Sequence, residues 1–315
     1  MPARVDAFRH EALLYSNLEE FLAGTIPFIE EGLAQGEAVM VVELPEKIEL
    51  LRSHLGADTL AVHFADMTDV GANPALIIPA WRDFVDRNRL GGRRMRGIGE
   101  PIFSARRPAE LVECQRHEEL LNVAFDGGEP WRLLCPYDTS AIPPAVVSEA
   151  RRSHPLVHEG YGQIVHGTRA LGRRAPFDAP FPDAPRDHQS LVVGSEQLDR
   201  LRSLVAERAR DAGLPDARIA DIVVAANEVV TNSVRHGGGI AYVRIWVVDG
   251  AFVCEVTDNG QFHMPLVDRE QPAPDARASR GLWLTNHLVD LVQIQSSLKG
   301  TAVRLHVWLE PSRSN

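Results

Sequence analysis

The sequence is poor in cysteine and has no long apolar run. Its three cysteines, Cys114, Cys135 and Cys254, are widely spaced and form no CxxC pair. This excludes a disulfide scaffold and favours a reducing compartment. The longest apolar runs, such as "AVMVV" and "ALIIPAW", are far shorter than the about 20 residues that cross a bilayer. The first residues also lack the apolar core of a signal peptide. We therefore expect a cytoplasmic protein with no membrane partner.

The chain also lacks positive charge. Its formal net charge is −10 and its isoelectric point is near 5.6. This argues against a dedicated nucleic-acid binder, although a basic patch can exist on an acidic protein. A helix-turn-helix signal is absent, as is a GxxxxGK motif followed by Ser or Thr, so we expect neither direct nucleic-acid contact nor a P-loop.

A proline-rich segment divides the chain. Its 315 residues are enough for two domains. Residues 171–188, "LGRRAPFDAPFPDAPRDH", combine four prolines with charges and no apolar period, which is typical of a semi-rigid linker. We therefore predict one domain over residues 1–170 and a second over residues 189–315.

The two regions have different patterns. Before the linker, solidly apolar strands such as "AVMVVE" and "WRLLCPYD" alternate with helical stretches, which predicts a doubly wound α/β domain with a mainly parallel sheet. After it, runs of strands follow runs of helices, which predicts an α+β sandwich with helices on one face of a mixed sheet. We expect Ser195 to cap the first of these helices and Gly237 to follow the end of the second. Asp249-Gly250 predicts a hairpin turn.

The stretch "NEVVTNSVRHG" places polar residues on a helix that also has a core stripe. Glu228, Asn232 and Arg235 recur at helical spacing. The core stripe beside them consists of Ile222, Ala226, Val229 and Ser233. An acid, an amide and a cation on one helix edge suggest a binding wall; an ordinary polar helix face is the alternative.

Further polar motifs follow in a fixed order. "VTDNGQ" places Asp258 and Gly260 at a strand end, where a carboxylate can accept from an exocyclic amine; a simple turn is the alternative. Residues 261–279 then form a long segment with three prolines, typical of a lid or a disordered loop. The segment ends at Arg280-Gly281, where a helix N-terminus can hold phosphate. Thr301 begins a later strand.

Together these motifs resemble the GHKL ATP-binding fold of histidine kinases, gyrase and bacterial anti-sigma serine kinases. The resemblance covers about residues 190–310 and is strongest to the RsbW and SpoIIAB branch. It implies a C-terminal sandwich of the GHKL (Bergerat) type, with ATP and Mg²⁺ as ligands. It implies that Glu228 orients or deprotonates the attacking hydroxyl and that Asn232 holds Mg²⁺. The other implied ATP contacts are Arg235 near the phosphates, Asp258 and Gly260 at the adenine, Arg280, Gly281 and Leu282 at the phosphate end of the lid, and Thr301 at the base.

The motifs depart from this family in two ways. The second glycine of DxGxG is absent, and the lid has a single glycine, at its far end. ATP binding stays compatible with this pattern, whereas efficient phosphoryl transfer is less well supported. The chain also has no helical hairpin with an exposed histidine and acidic neighbour, which a histidine kinase requires.

The N-terminal region offers a second group of candidate residues. Glu43, Asp66, Glu100 and Tyr137 follow or end strands, where ligands of open parallel sheets bind; solvated loop carboxylates are the alternative. Cys114 and His117 are neighbours on a helix and suggest a metal pair that His10 could join. A packed thiol and a surface imidazole are the alternative there.

This region resembles the MEDS sensory domain of methanogen and methylotroph regulators, over residues 7 to about 165. The stretches that carry the resemblance are "FRHEALLYSNLEEFLAGTIPFIEEGLAQGEAVMVV", "GIGEPI" and "ECQRHEELLN". It implies a RecA-like sheet and a small organic ligand.

The two resemblances together imply a sensor that controls an anti-sigma serine/threonine kinase. Its partners would be a sigma factor and a STAS-type anti-sigma antagonist, and the kinase would form a homodimer. A catalytically weak ATP-dependent binding switch and a histidine-kinase-like ATPase are the alternatives.

Overall fold

The structure is a computed structural model that describes residues 7–159, 163–166, 179–261, 265–270, 272 and 280–309. Contacts divide the chain into two compact units, Met1–Phe177 and Asp178–Asn315. None of the helices in the described part has both the length and the apolar character needed to cross a membrane.

The first unit is built on one seven-stranded sheet. Its strands are β1 Arg9–Tyr15, β2 Ala38–Glu43, β3 Val62–Asp66, β4 Met95–Gly99, β5 Trp131–Asp138, β6 Leu156–Glu159 and β7 Gln163–His166. Their order is β3-β2-β4-β5-β1-β6-β7. All neighbours pair in parallel except β6 and β7. The predicted doubly wound, mainly parallel sheet is confirmed.

Helices cover both faces of this sheet. They are α1 Leu18–Ala34, α2 Pro45–Leu55, α3 Met67–Val70, α4 Ile77–Arg89, α5 Pro108–Ala124 and α6 Pro144–Ser153. On one face, Phe21 and Ile29 of α1 pack into the core with Leu13 and Val41. On the other face, a Cβ on Gly97 of β4 would lie 2.7 Å from the Trp81 ring. The glycine therefore gives this indole its place against the sheet.

In its described residues, the second unit is a layer of three helices on a five-stranded sheet. Its strands are β8 Gln189–Val193, β9 Ala241–Val248, β10 Ala251–Asp258, β11 Leu291–Ser297 and β12 Gly300–Trp308; its helices are α7 Leu198–Asp211, α8 Asp216–His236 and α9 Arg280–Leu288. The strand order is β11-β12-β10-β9-β8. Every pairing among the described strands is antiparallel, so the prediction of a mixed sheet was wrong. The α+β sandwich itself is confirmed.

Local turn chemistry explains most boundaries in the second unit. The β9–β10 turn has positive φ at Asp249 (49°) and Gly250 (69°), as an Asp-Gly hairpin requires. Helix α8 stops at His236, and Gly237 N–H donates back to the Ser233 carbonyl. The expected Ser195 cap was wrong. The cap is Gln197, two residues later, because Gln197 Oε1 accepts from Gly194 N–H at 2.8 Å and keeps the intervening turn non-helical.

Part of the proline-rich segment packs against the second unit. Phe181 N–H donates to Gln295 Oε1 of β11 at 2.9 Å. The guanidinium of Arg304, on β12, donates to the Pro182 carbonyl and lies 4.6 Å from the Phe181 ring centroid. Residues 171–178 of the predicted linker lie outside the described residues.

Candidate functional site

The polar edge of α8 lies beside a fully packed core stripe. Ile222, Ala226, Val229 and Ser233 are all buried, as predicted. Glu228 and Asn232 are half-buried, and Arg235 is exposed. In the described part of the chain, neither the Glu228 nor the Asn232 side chain has a hydrogen-bond or ion-pair partner. Because no protein group in the described part of the chain engages these two side chains, both are free to contact a ligand.

The first turn of α9 lies directly against this pair. A Cβ on Gly281 would be 2.9 Å from Glu228 Oε2 and 3.1 Å from Asn232 Nδ2. Glycine is therefore required for so close an approach. The first N–H groups of a helix lack intrahelical acceptors and carry the positive end of its dipole. The structure thus places an acid, an amide and a helix N-terminus together, a set suited to a cation and phosphate oxygens.

Asp258 forms the other end of this region. It ends β10, and its Oδ1 accepts from Gly260 N–H at 2.7 Å. A Cβ on Gly237 would be 2.5 Å from that oxygen, and one on Gly260 would be 2.9 Å from Gly237 Cα. The two glycines let the end of α8 and the Asp258 loop pack backbone to backbone. Oδ2 of Asp258 has no partner among the described residues, so it can accept from an amine.

Thr301 supports this loop from the neighbouring strand. It pairs with Asp258 across β10 and β12. Its Oγ1 donates to the Gly260 carbonyl at 2.9 Å and lies 2.9 Å from Ser296 Oγ. Because its one proton is used, the hydroxyl can meet a base only as an acceptor. Thr301 therefore fixes Gly260 in addition to any contact with adenine.

The predicted lid lies largely outside the described residues, which omit 262–264, 271 and 273–279. The lid's described residues 265–270 contact α9, because Asn286 Nδ2 donates to the Asp268 carbonyl at 2.9 Å. At the lid's end, Arg280 is exposed and Leu282 is buried in the core of the second unit. Leu282 thus anchors the helix start, and Arg280 is placed in solvent.

In the first unit, three of the predicted ligand residues lie at the carboxyl ends of adjacent strands. Glu43 pairs with Asp66 across β2 and β3, and Glu100 follows β4. Glu43 and Glu100 are fully buried rather than rim-exposed. Burial raises the pKa of each, and the neighbouring Glu100 charge raises that of Glu43 further. Asp66 Oδ1 caps α3 by accepting from Thr68 N–H at 2.7 Å.

Sequence reasoning missed the partners of this acid pair. Lys47 Nζ, from the first turn of α2, donates to Glu100, and the Tyr15 hydroxyl donates to Glu100 Oε1 at 2.9 Å. A signal was available in "ELPEK", where a lysine follows the strand-end Glu43 by one helical turn. Two acids share this buried site with one lysine, and burial disfavours the charged form of each acid.

The other candidates of the first unit lie elsewhere. Cys114 is buried and donates from Sγ to the Pro101 carbonyl at 3.3 Å. His117 is buried too, rather than on the surface. Neither belongs to the group of possible metal ligands found among the described residues, whereas His10 does. Tyr137 lies beside that group, with its ring centroid 5.6 Å from that of His154.

Family models match both units. The MEDS model, described as the methanogen/methylotroph DcmR sensory domain, matches residues 9–155. The histidine kinase-like ATPase domain model matches residues 193–307. The chain therefore carries an N-terminal MEDS domain and a C-terminal ATPase domain of this type, and both resemblances are confirmed.

A curated relative decides the family. An anti-sigma F factor of Clostridium botulinum is 32% identical over 98 residues, which cover 68% of that protein. The chain belongs to the anti-sigma F factor family. The match spans 28% of this chain. A second anti-sigma F factor, from Caldanaerobacter subterraneus, is 29% identical over 122 residues, 36% of this chain and 85% of that protein. Membership in the anti-sigma F factor family thus concerns about a third of the chain.

A solved structure of the RsbU and RsbW domains of a Mycobacterium tuberculosis protein also matches. Its sequence identity is 25%, and the match covers 41% of this chain and 35% of that chain with a TM-score of 0.31.

Proposed function

We propose that the second unit binds ATP with Mg²⁺ and phosphorylates a serine or threonine of a STAS-type anti-sigma antagonist. It would sequester a sigma factor when that antagonist is absent, and it would act as a homodimer. The observation that carries the proposal is the unpartnered Glu228–Asn232 pair, packed against the first turn of α9. The anti-sigma F factor relatives support the same function.

The spacing along α8 supports one bound nucleotide rather than two separate sites. Glu228 precedes Gly237 by about 14 Å of helix, and Gly237 packs on Asp258. A nucleoside triphosphate can bridge such a span, with its base at Asp258 and its phosphates at α9. The glycines at both ends let α9 and the Asp258 loop pack closely on α8.

Each residue then has a physical task. Glu228 accepts the proton of the attacking hydroxyl or orients it, and Asn232 offers an amide oxygen to the metal. Asp258 accepts from the adenine amine through Oδ2, while Oδ1 keeps its bond to Gly260. Arg235 and Arg280, both exposed, supply positive charge near the phosphates. Magnesium would neutralise the phosphate charge and align the transferred group.

An ATP-dependent binding switch without transfer is the second candidate. It is favoured by the missing second glycine of DxGxG and by the proline-rich lid. The missing glycine and the prolines concern lid closure rather than the base site. The kinase and the binding switch therefore both require ATP binding, and they differ only in phosphoryl transfer.

For the first unit we propose a sensory role that controls the second. The buried group lies at the carboxyl ends of the strands, where parallel sheets bind ligands, and consists of Glu43, Glu100 and Lys47. A small polar organic compound that donates hydrogen bonds would suit these two acids. Binding of this compound would change the protonation of Glu43 and Glu100.

Replacing Asp258 with asparagine tests the nucleotide site. We expect ATP affinity to fall about 10- to 100-fold, because the amide NH₂ that replaces Oδ2 would face the adenine amine, donor against donor. The amide oxygen keeps the bond to Gly260 N–H, so the loop should stay folded. Calorimetric titration of the full chain with ATP and Mg²⁺ measures the effect.

Asp249→Asn is the matched control. It makes the same chemical change at the exposed hairpin turn, where asparagine tolerates the positive φ. ATP binding that is absent from the wild type, or equal in both variants, would remove the base-site assignment.

Gly281→Ala tests the contact between α9 and the polar pair. The new methyl group would lie within 3.1 Å of Glu228 Oε2 and Asn232 Nδ2. Both are ends of flexible side chains, so they can move and the fold should persist. We expect phosphoryl transfer to fall about 10²-fold, as displaced catalytic groups commonly cause, with an unchanged melting temperature.

Leu284→Ala, an exposed position on the same helix, is the control for this substitution. Transfer rates and thermal unfolding are measured on both variants. Undiminished transfer by Gly281→Ala would show that the α9 contact plays no part in the reaction.

A further inference from the structure

A second cluster of reactive side chains lies in the first unit, outside the nucleotide site and the Glu43–Glu100 edge. It consists of His10 on β1, Glu118 on α5, Cys135 on β5 and His154, which follows α6. One ligand atom from each lies within 4.8 Å of all the others, and all four residues are buried. Four separate parts of the chain therefore place one side chain each in the same buried site.

The distances within the cluster are short. Glu118 Oε2 lies 3.1 Å from His10 Nε2 and 3.2 Å from His154 Nε2. Cys135 Sγ lies 3.3 Å from His10 Nε2. Zinc bonds of about 2.0–2.3 Å in a tetrahedron separate ligand atoms by about 3.3–3.8 Å. The side chains are thus already close to the spacing that one metal ion imposes.

The outer nitrogens of both rings are fixed by acceptors. His154 Nδ1 lies 2.8 Å from the Ala150 carbonyl, which can only accept. His10 Nδ1 lies 3.2 Å from Asn122 Oδ1. That amide is oriented by its own donation to the Ser153 carbonyl at 2.9 Å. Each ring therefore carries its proton on Nδ1 and directs the Nε2 lone pair inward, as metal-binding histidines do.

With these tautomers, the Cys135 thiol supplies the one proton among the four groups that face the centre of the cluster. Two imidazole lone pairs face a carboxylate oxygen at hydrogen-bond distance, and His154 Nε2 and Glu118 Oε1 are buried without hydrogen-bond partners. Such an arrangement needs a positive charge at its centre, and a metal ion supplies it.

We propose that His10, Glu118, Cys135 and His154 bind one divalent transition-metal ion of the zinc class in the MEDS domain. Two imidazoles, a thiolate and a carboxylate match the donors that zinc prefers, and four protein ligands close a tetrahedral site. Binding releases the Cys135 proton, because the thiolate is the ligand form. The ion ties β1, β5, α5 and the end of α6 together, so its loss loosens the sensory domain.

The test uses the full-length chain, stripped with a chelator and titrated with Co²⁺ as a spectroscopic probe. We expect one cobalt per chain, visible bands of tetrahedral geometry and a sulfur-to-metal charge-transfer band. Zn²⁺ should displace the cobalt and raise the melting temperature. Cys135→Ser should abolish the charge-transfer band and weaken Co²⁺ binding at least about tenfold, since even outer-shell losses cost 10- to 100-fold.

Cys114→Ser is the matched control, because Cys114 is also a buried thiol of the first unit but lies outside the cluster. It should keep the full spectrum. His154→Gln provides a second ligand loss if Cys135→Ser fails to fold, and it should weaken Co²⁺ binding while keeping the sulfur band. Wild-type protein that binds no stoichiometric cobalt would overturn the proposal and leave a proton-held hydrogen-bond network only. A charge-transfer band that persists in Cys135→Ser would overturn it as well.

Discussion

Glu228→Gln should lower the rate of phosphoryl transfer to a STAS-type antagonist by about 10²- to 10⁴-fold, the usual contribution of a general base. Glutamine has the same shape but cannot take up the hydroxyl proton. The side chain has no protein partner in the described part of the chain, so the substitution breaks no internal bond. Calorimetry should therefore show ATP binding close to that of the wild type. Labelled ATP with STAS-domain proteins from the same organism gives the rate.

Glu207→Gln on α7 is the control for this experiment. Glu207 is exposed and lies on a different helix, so its replacement should leave transfer unchanged. If the wild type binds ATP but labels no STAS-domain protein, the binding switch is the better description. If Glu228→Gln transfers phosphate at the wild-type rate, Glu228 is not the base.

Gly300→Ala should destabilise the second unit by about 3 kcal/mol or more, the range of severe backbone strain and overpacking combined. Gly300 begins β12 with φ +119°, and a Cβ there would lie 2.0 Å from the Asp258 carbonyl oxygen. The obstacle is backbone rather than a flexible side chain, so the ends of β10 and β12 must separate. Since Asp258 and Thr301 lie at that point, ATP binding should be lost together with stability.

Gly213→Ala separates the cost of backbone strain at positive φ from the cost of the Cβ contact with the Asp258 carbonyl. Gly213 also has positive φ, +87°, but a Cβ there meets nothing within 4 Å. Its replacement should cost about 1 kcal/mol. Denaturant unfolding followed by tryptophan fluorescence compares the two variants. Equal destabilisation would show that the Asp258 contact carries no energetic weight.

Most of the architecture could be predicted from local patterns. The end of α8 was predicted correctly, because the glycines after His236 mark it. The Asp249-Gly250 turn was equally clear. In contrast, α6, β6 and β7 were missed, since short elements with mixed composition carry little periodicity. The mixed sheet was wrong because pairing direction depends on strand order, which local sequence does not encode.

The two candidate sites also differ in how far local sequence predicts them. Glu228 and Asn232 are four residues apart on one helix, so their proximity follows from helical geometry alone. The metal-ligand cluster depends on β1 lying between β5 and β6. That order brings His10 to Cys135 and His154, which are more than a hundred residues away in sequence. Cys114, a helical neighbour of His117, was therefore the more visible thiol, although Cys135 is the one beside His10.

The contacts of Phe181 and Pro182 determine where the second unit can be cut from the chain. A fragment starting at residue 189 would lose the partner of the Gln295 side chain and the carbonyl that Arg304 binds. It would also lose Ala184, which packs against the apolar cluster of Trp246, Ala251 and Val253. Expression of the ATPase domain alone should therefore begin at or before residue 179, and a shorter fragment should be the more prone to aggregate.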